Sequence, residues 1–149
     1  MNRMKVHYST NSNEWETPPE LFDPLDKEFG FTLDVCALPA TAKCEEYFTP
    51  KDDGLQKAWH GVCWMNPPYG REIAHWMKKA FQESQRGVTV VCLVPSRTDT
   101  GWWWDYALKG EIRFIRGRVK FLQGGTYQGP APFPSAIVIF RPNSQEQAQ

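Results

Sequence analysis

The stretch VTVVCLVPS, from Val88 to Ser96, decides the fold because it is apolar at almost every position rather than at alternate ones. A continuous β-branched and apolar run is typical of a strand that is covered on both faces. Such a strand predicts a parallel sheet with helices on each side. Outward from it, strand and helix patterns alternate and finish in an antiparallel pair, which predicts an α/β open sheet of about six or seven strands.

Helical patterns flank this strand on both sides. Before it, apolar residues at helical spacing predict a helix over residues 71–86, with Gly87 directly after its end. After it, residues 98–110, TDTGWWWDYALKG, predict a second helix with a Thr or Asp cap. The other predicted strands lie in FGFTLDVCA (29–37), where the strand ends near Asp34, and in GVCWM (61–65), EIRFIRG (111–117), VKFLQ (119–123) and SAIVIFRP (135–142). A Gly- and Pro-rich loop joins the last two.

A further helix is predicted near the N-terminus. Thr17 is followed directly by Pro18 and, three residues later, by Glu20. This spacing predicts a capping box with Thr17 as the cap and proline at the first helical position. Pro24 lies inside the pattern and predicts that the helix is short or irregular.

Length and composition predict one globular domain. The chain has 149 residues, of which 41% are hydrophobic and 14% aromatic, and no run approaches the roughly 18 apolar residues of a membrane span. The first residues lack the apolar core of a signal peptide, so we expect a soluble cytoplasmic protein. We expect a polar arm over residues 1–14, a single domain over 15–141 and a frayed tail over 142–149.

The cysteine spacing argues against a metal site, and the charge distribution bears on which ligands the chain could bind. Four cysteines are scattered singly without a CxxC pair, which predicts buried reduced thiols and no metal site; they are Cys36, Cys44, Cys63 and Cys92. Residues 1–60 carry 6 Lys and Arg against 11 Asp and Glu, whereas residues 61–149 carry 11 against 6. Either this split arises by chance, or an acidic half binds a cationic or hydroxyl-rich small molecule while a basic half faces phosphates.

The tetrapeptide Asn66-Pro67-Pro68-Tyr69 directly follows the predicted strand 61–65. Two prolines stop the sheet ladder and keep the backbone extended. The carbonyl of Pro67 and the side-chain oxygen of Asn66 can then face one small volume, where two acceptors suit an amino group. Tyr69 supplies a flat face on which a nucleobase can stack. The alternative is that Pro-Pro-Tyr only ends a strand and begins a turn.

Asp34 closes another predicted strand within an apolar run. A buried carboxylate without a partner is costly, so its position favours a functional role. In open α/β sheets, ligands bind beyond the carboxyl ends of the strands, where the strand order reverses. Asp34 and Asn66 are therefore expected at one site.

Segments along most of the chain resemble the phage-type DNA N6-adenine methyltransferase (Dam) family. NPPY is similar to the catalytic motif of amino-group methyltransferases that use S-adenosylmethionine. The segments that carry the resemblance come in family order between residues 15 and 140: EWETPPELFDPL, FTLDVCA, AKCEEYFTPKDDGL, WMNPPYG, LVPSRTDTGWWW, GRVKF and APFPSAIVIF.

The resemblance implies a Rossmann-like methyltransferase fold with a mostly parallel twisted sheet and a C-terminal antiparallel hairpin. It implies methyl transfer from S-adenosylmethionine to N6 of adenine in double-stranded DNA, with the target base flipped into the NPPY pocket. The catalytic residues would be Asn66, Pro67, Pro68 and Tyr69. The cofactor-binding residues would be Thr17, Pro18, Asp34, Val35, Cys36, Ala37, Asp52, Asp53 and Leu55.

Basic residues after residue 96 are candidates for phosphate contact; they are Arg97, Arg116, Arg118 and Lys120. In residues 112–121, basic residues alternate with Phe114 and Phe121, and a solvated strand face also explains this pattern. Two other functions fit the motifs. One is a methyltransferase acting on RNA or on glutamine side chains of proteins, and the other is a nucleic-acid-binding module without chemistry.

Overall fold

A six-stranded sheet runs through the part of the chain that the structure, a computed structural model, describes, residues 15–142. The predicted arm of residues 1–14 and the tail beyond residue 142 lie outside the described residues. The sheet strands are β1 (Leu33–Asp34), β2 (Glu46–Tyr47), β3 (Val62–Met65), β4 (Thr89–Pro95), β5 (Glu111–Phe114) and β8 (Ser135–Phe140). The helices are α1 (Pro19–Phe29), α2 (Ile73–Gln85) and α3 (Gly101–Asp105), with 3₁₀ turns at Gly54–Gln56 and Ala107–Lys109.

The strand order is β2-β1-β3-β4-β8-β5. Strands β2, β1, β3 and β4 are mutually parallel, and β8 runs antiparallel between β4 and β5. The mainly parallel α/β sheet of six strands is thus confirmed. Strand β4 has six of its seven residues buried, as expected for an apolar run covered on both faces.

The predicted pairing at the C-terminal end is wrong in detail. Residues 119–121 are not a strand, and β6 (Leu122–Gln123) pairs antiparallel with β7 (Thr126–Tyr127) rather than with β8. Gly124 and Gly125 have φ of 61° and 80°, the left-handed geometry of a tight two-residue hairpin turn. Both edges of β8 are already occupied by β4 and β5, so no position beside it is open to residues 119–123.

Helix α1 does not begin as predicted. Pro18 is its N-cap, with the extended φ and ψ of −72° and 149°, and Thr17 makes no capping bond. The helix is also neither short nor irregular, since its eleven residues continue through Pro24 to Phe29, with Gly30 as the C-cap. Phe22 packs edge-on against Trp64 with ring centroids 5.1 Å apart. This burial offsets the helix hydrogen bond that Pro24 cannot make.

Helix α2 agrees with the prediction, because it occupies residues 73–85 of the expected 71–86 and buries its apolar face. Within residues 15–142 the four cysteines form no disulfide. Cys63 and Cys92 are buried as predicted, whereas Cys36 and Cys44 are half-buried, so for these two the prediction of burial is wrong. Within residues 15–142, no helix is long and apolar enough to cross a membrane.

Candidate active site

The site lies where the strand order reverses. After β1 the chain forms β2 on one side, and it then returns to form β3 on the other side of β1. Asp34 is in register with Trp64 of β3, and Asn66 comes two residues later. The carboxyl ends of β1 and β3 are thus neighbours, and this is the usual ligand position in an open parallel sheet.

The Asn66 side chain is held at both ends. Its Nδ2 donates to the backbone oxygen of Trp15 and, at 3.1 Å, to Oγ1 of Thr17. Its Oδ1 accepts from the hydroxyl of Tyr69 at 2.9 Å. Because a backbone carbonyl can only accept, the nitrogen must face Trp15 and the oxygen must face Tyr69. Both N–H groups are used, and the oxygen keeps one further acceptor position.

The Tyr69 ring lies in an aromatic cluster and is only 2% exposed. Phe133 meets it edge-on at 5.5 Å and Phe121 at 6.2 Å, while Trp15 contacts both of those rings. The Tyr69 hydroxyl lies 3.0 Å from the oxygen of Leu93 on β4 as well as near Asn66. Burial raises the pKa of Tyr69 well above its ordinary value, and the charge of Arg97 lowers it slightly.

Asp34 is 3% exposed and is bonded by the loop that follows it. Oδ1 accepts from the N–H of Cys36 at 3.2 Å, and Oδ2 accepts from the N–H of Lys43 at 3.0 Å. Burial raises the pKa of Asp34 to about 6, against the lowering effect of these two hydrogen bonds and of the Lys43 charge. A carboxylic acid with this pKa changes its charge near neutral pH.

Lys43 is a site residue that sequence reasoning missed. Its Nζ donates to the backbone oxygen of Thr17 at 2.9 Å and lies 4.0 Å from Oε2 of Glu16. Its backbone holds Asp34, so one residue joins the loop after β1 to the Thr17 segment. Trp15 and Phe133 were also missed. Their partners lie far away in sequence, and no local pattern marks them.

The segment Trp15–Thr17, which we call the strap, crosses this edge of the sheet. Glu16 exchanges two backbone hydrogen bonds with Leu122, at 3.0 and 2.9 Å. Thr17 is only 1% exposed, and Pro18 is buried after it. The strap therefore places Thr17 between Asn66 and Lys43 of the Asp34 loop.

The other predicted cofactor residues divide into two groups. Val35 and Ala37 are buried, and their N–H groups donate to the oxygens of Trp64 and Phe48, so they continue the sheet, whereas Cys36 is half-exposed. Asp52 and Asp53 are exposed turn residues. Asp52 accepts from Thr49, Asp53 accepts from the N–H of Leu55, and Leu55 is half-buried.

Gly54 connects the two groups. A Cβ at this position would lie 2.3 Å from the oxygen of Val35, so any side chain there would force the backbone to shift. The turn with Asp52, Asp53 and Leu55 is therefore packed directly against the loop after β1. The structure brings together at one edge the strap, the Asp34 loop, this turn and the Asn66 motif.

The predicted phosphate contacts are all exposed. Arg97 follows β4 and Arg116 follows β5; these strands end at the same edge, because Val94 and Phe114 both pair with Ala136. Arg118, whose Nη1 donates to the oxygen of Ala131 at 3.1 Å, and Lys120 come next along the chain. Arg113 differs, since it is ion-paired with Glu28 and Glu111 at 2.8 and 2.9 Å.

Comparison with known proteins places the chain among methyltransferases. The model of the family described as DNA N-6-adenine-methyltransferase (Dam) matches residues 6–149. The DNA N-6-adenine-methyltransferase of Haemophilus phage HP1 (strain HP1c1) is 30% identical over 138 residues, covering 87% of this chain and 79% of the phage protein. "Putative methyltransferase YfdM" of Escherichia coli (strain K12) is 34% identical over 65 residues, covering 38% of this chain and 71% of that protein. The chain therefore belongs to the DNA N-6-adenine-methyltransferase (Dam) family.

Proposed function

We propose that this protein transfers a methyl group from S-adenosylmethionine to N6 of adenine in double-stranded DNA. The observation that carries the proposal is the amide of Asn66. Its two N–H groups are satisfied by Trp15 and Thr17, so it offers a guest only an acceptor. An amino group is the complementary guest, and the name of the phage HP1 relative specifies N6 of adenine in DNA.

The catalytic role of Asn66 and Pro67 follows from the electronics of an aromatic amine. The lone pair of N6 is delocalised into the adenine ring, which makes the amine a weak nucleophile. Two acceptors, Oδ1 of Asn66 and the carbonyl of Pro67, would hold the two hydrogens and favour a pyramidal nitrogen. Each interaction that strengthens in the transition state contributes about 2 to 4 kcal/mol, by analogy with oxyanion-hole donors. Pro68 keeps the backbone of this acceptor pair extended.

The aromatic cluster is the proposed pocket for the target base. N6 is paired in a duplex, so the adenine must rotate out of the stack at a cost of a few kcal/mol. Tyr69 would supply the stacking face, worth about 1 to 3 kcal/mol. Trp15 and Phe133 are both half-exposed and lie over the buried rings of Tyr69 and Phe121. We propose that these two outer rings move aside when the base enters.

The residues around Asp34 fit S-adenosylmethionine. The buried carboxylate of Asp34 suits the ammonium of the methionine portion. Thr17 and Pro18 would approach the methionine carboxylate, since the Thr17 oxygen is bonded to Lys43 of the loop that follows Asp34. Lys43, whose Nζ is within 2.9 Å of the Thr17 oxygen, offers a cation to the methionine carboxylate. The turn at Asp52, Asp53 and Leu55 with residues 35–37 would meet the nucleoside. When bound, the cofactor supplies an electrophilic sulfonium methyl group.

The DNA face is proposed for the edge that carries Arg97 and Arg116. Strand β5 is three strand spacings from β3, about 14 Å at about 4.8 Å per spacing. This distance corresponds to about four base pairs of duplex at about 3.4 Å each. A duplex whose flipped base reaches Asn66 would therefore pass over Arg116, with Arg118 and Lys120 as the neighbouring cations.

Methyl transfer from S-adenosylmethionine carrying a labelled methyl group to unmethylated duplex DNA, followed by nucleoside analysis, tests the proposal. We expect labelled N6-methyladenine that is lost in Asn66→Ala and kept in His75→Ala, an exposed substitution on α2 that serves as the control. RNA and protein are supplied in parallel. Label in RNA or protein but not in DNA would contradict the substrate, and transfer by Asn66→Ala within a fewfold of wild type would contradict the site.

A further inference from the structure

The hydroxyl of Thr17 is committed to the Asn66 amide, although the family resemblance implies that Thr17 belongs to the cofactor site. The Oγ1 atom accepts from Nδ2 of Asn66 at 3.1 Å across 49 positions of sequence. Thr17 is 1% exposed, and the structure assigns it no capping bond to α1. Its hydroxyl is thus directed at the amide rather than toward solvent.

The backbone around Thr17 is fixed from both sides. Glu16 is paired with Leu122 by two backbone hydrogen bonds at 3.0 and 2.9 Å. The Thr17 oxygen is held at 2.9 Å by Nζ of Lys43, and Pro18 follows as the extended N-cap of α1. The side chain of Thr17 therefore extends from an anchored backbone. This fixes the point at which its hydroxyl accepts from the Asn66 amide.

We infer that Thr17 is a positioning residue for methyl transfer: its hydroxyl, together with the Trp15 carbonyl, fixes the Asn66 amide with the oxygen toward the target amine. This inference rests on the proposed function, because it assigns Thr17 to the same reaction. The carbonyl of Trp15 secures one hydrogen of Nδ2, and only the Thr17 hydroxyl secures the second. When the hydrogen bond to Thr17 is removed, only the bonds to Trp15 and Tyr69 hold the amide. It can then tilt about them, and the acceptor no longer meets the amine in line with the methyl donor.

The expected effect is on turnover rather than on cofactor affinity. A misplacement of about 1 Å can cost about 100-fold in rate, so we expect Thr17→Val to lower kcat about 10- to 100-fold. Its Kd for S-adenosylmethionine should stay within about threefold, because the Lys43 contact uses the backbone oxygen and survives the substitution. Thr17→Ser keeps the hydroxyl and should restore most of the rate.

The test combines these rates with a readout that needs no turnover. Side-chain amide NMR signals of the free protein are recorded, and the Asn66 pair is identified by its absence in Asn66→Ala. We expect Thr17→Val to shift this pair and Thr17→Ser to leave it in place. Thr89→Val, at the opposite end of β4, is the matched control. If Thr17→Val folds poorly, Thr17→Ala removes the same hydroxyl without adding bulk.

Two results would overturn the inference. One is an unchanged Asn66 pair with wild-type kcat in Thr17→Val. The other is a more than tenfold loss of cofactor affinity with unchanged amide signals, which would assign the hydroxyl to the cofactor. A wild-type protein that methylates no DNA would contradict the proposed function alone, since the free-protein signals report on the Thr17 contact independently.

Discussion

The stability of this protein should depend on pH through Asp34. Burial raises the pKa of Asp34 from 3.8 to about 6 in the folded chain. The unfolded chain ionises this group near pH 4, while the folded chain keeps it protonated until about pH 6. Between these values the unfolded state binds fewer protons, so the free energy of unfolding falls as pH rises and levels off above about pH 6.

The size of the effect follows from the shift. At about 1.36 kcal/mol per pKa unit, ionised Asp34 lowers the free energy of unfolding by about 3 kcal/mol. Asp34→Asn removes the titration, although the amide can accept only one of the two hydrogen bonds that Cys36 and Lys43 now donate. The lost hydrogen bond therefore lowers the free energy of unfolding of the variant by an amount that does not depend on pH. The informative quantity is how the difference in free energy of unfolding between wild type and Asp34→Asn changes with pH.

Urea unfolding at a series of pH values from about 4 to 8 measures this difference. Wild type should lose about 2 to 3 kcal/mol relative to Asp34→Asn across the range, most of it below about pH 6.5. Asp52→Asn is the control, because the hydrogen bonds from Thr49 lower the pKa of Asp52. Asp52 is therefore ionised in both states above about pH 4, and its removal should leave the pH dependence across this range nearly unchanged. Parallel stability profiles for wild type and Asp34→Asn would refute the reasoning.

Three further predictions concern single substitutions. Gly54→Ala should destabilise the fold by about 1 to 3 kcal/mol in urea unfolding, because the backbone must move away from the new Cβ. Gly129→Ala is the control and should have little effect, since no atom lies within 4 Å of the new Cβ. Arg116→Ala should weaken duplex binding measured by fluorescence anisotropy and reduce the slope of log K against log salt by about one; an unchanged slope would remove Arg116 from the interface. Tyr69→Phe loses the hydroxyl that donates to Oδ1 of Asn66. If the amide has the proposed role, this variant should have a lower melting temperature and lower turnover with an unchanged Kd for S-adenosylmethionine, and full activity would contradict the role of the hydroxyl.

Elements whose burial is set by local sequence could be predicted. The continuous apolar run of β4 predicts burial on both faces, and the helical spacing of apolar residues in α2 predicts burial of one face. The assignment of Asp34 to the end of a strand also follows locally, since a carboxylate that closes an apolar run marks a boundary. These local patterns were enough to predict the parallel sheet and the edge of it at which the candidate site lies.

Features decided by distant partners could not be predicted. The sequence around Thr17 is that of a helix cap, but its hydroxyl instead accepts a hydrogen bond from Asn66, which lies 49 residues away. Lys43 has no pattern of its own, and its role appears only when the loop after β1 meets the strap. Residues 119–121 have strand-forming side chains, yet β4 and β5 occupy both edges of β8 and leave no place for them beside it.

The position of β8 has a consequence for how the protein is made. Within the described residues, β8 is the last strand in sequence, yet it lies inside the sheet, and β5 joins the other strands only through it. A growing chain on the ribosome cannot complete the sheet until residue 140 has been synthesised. A truncation before Ser135 would leave the apolar edge of β4 open, and open apolar edges pair with other chains. Such nonsense products should aggregate rather than persist as partly active enzyme.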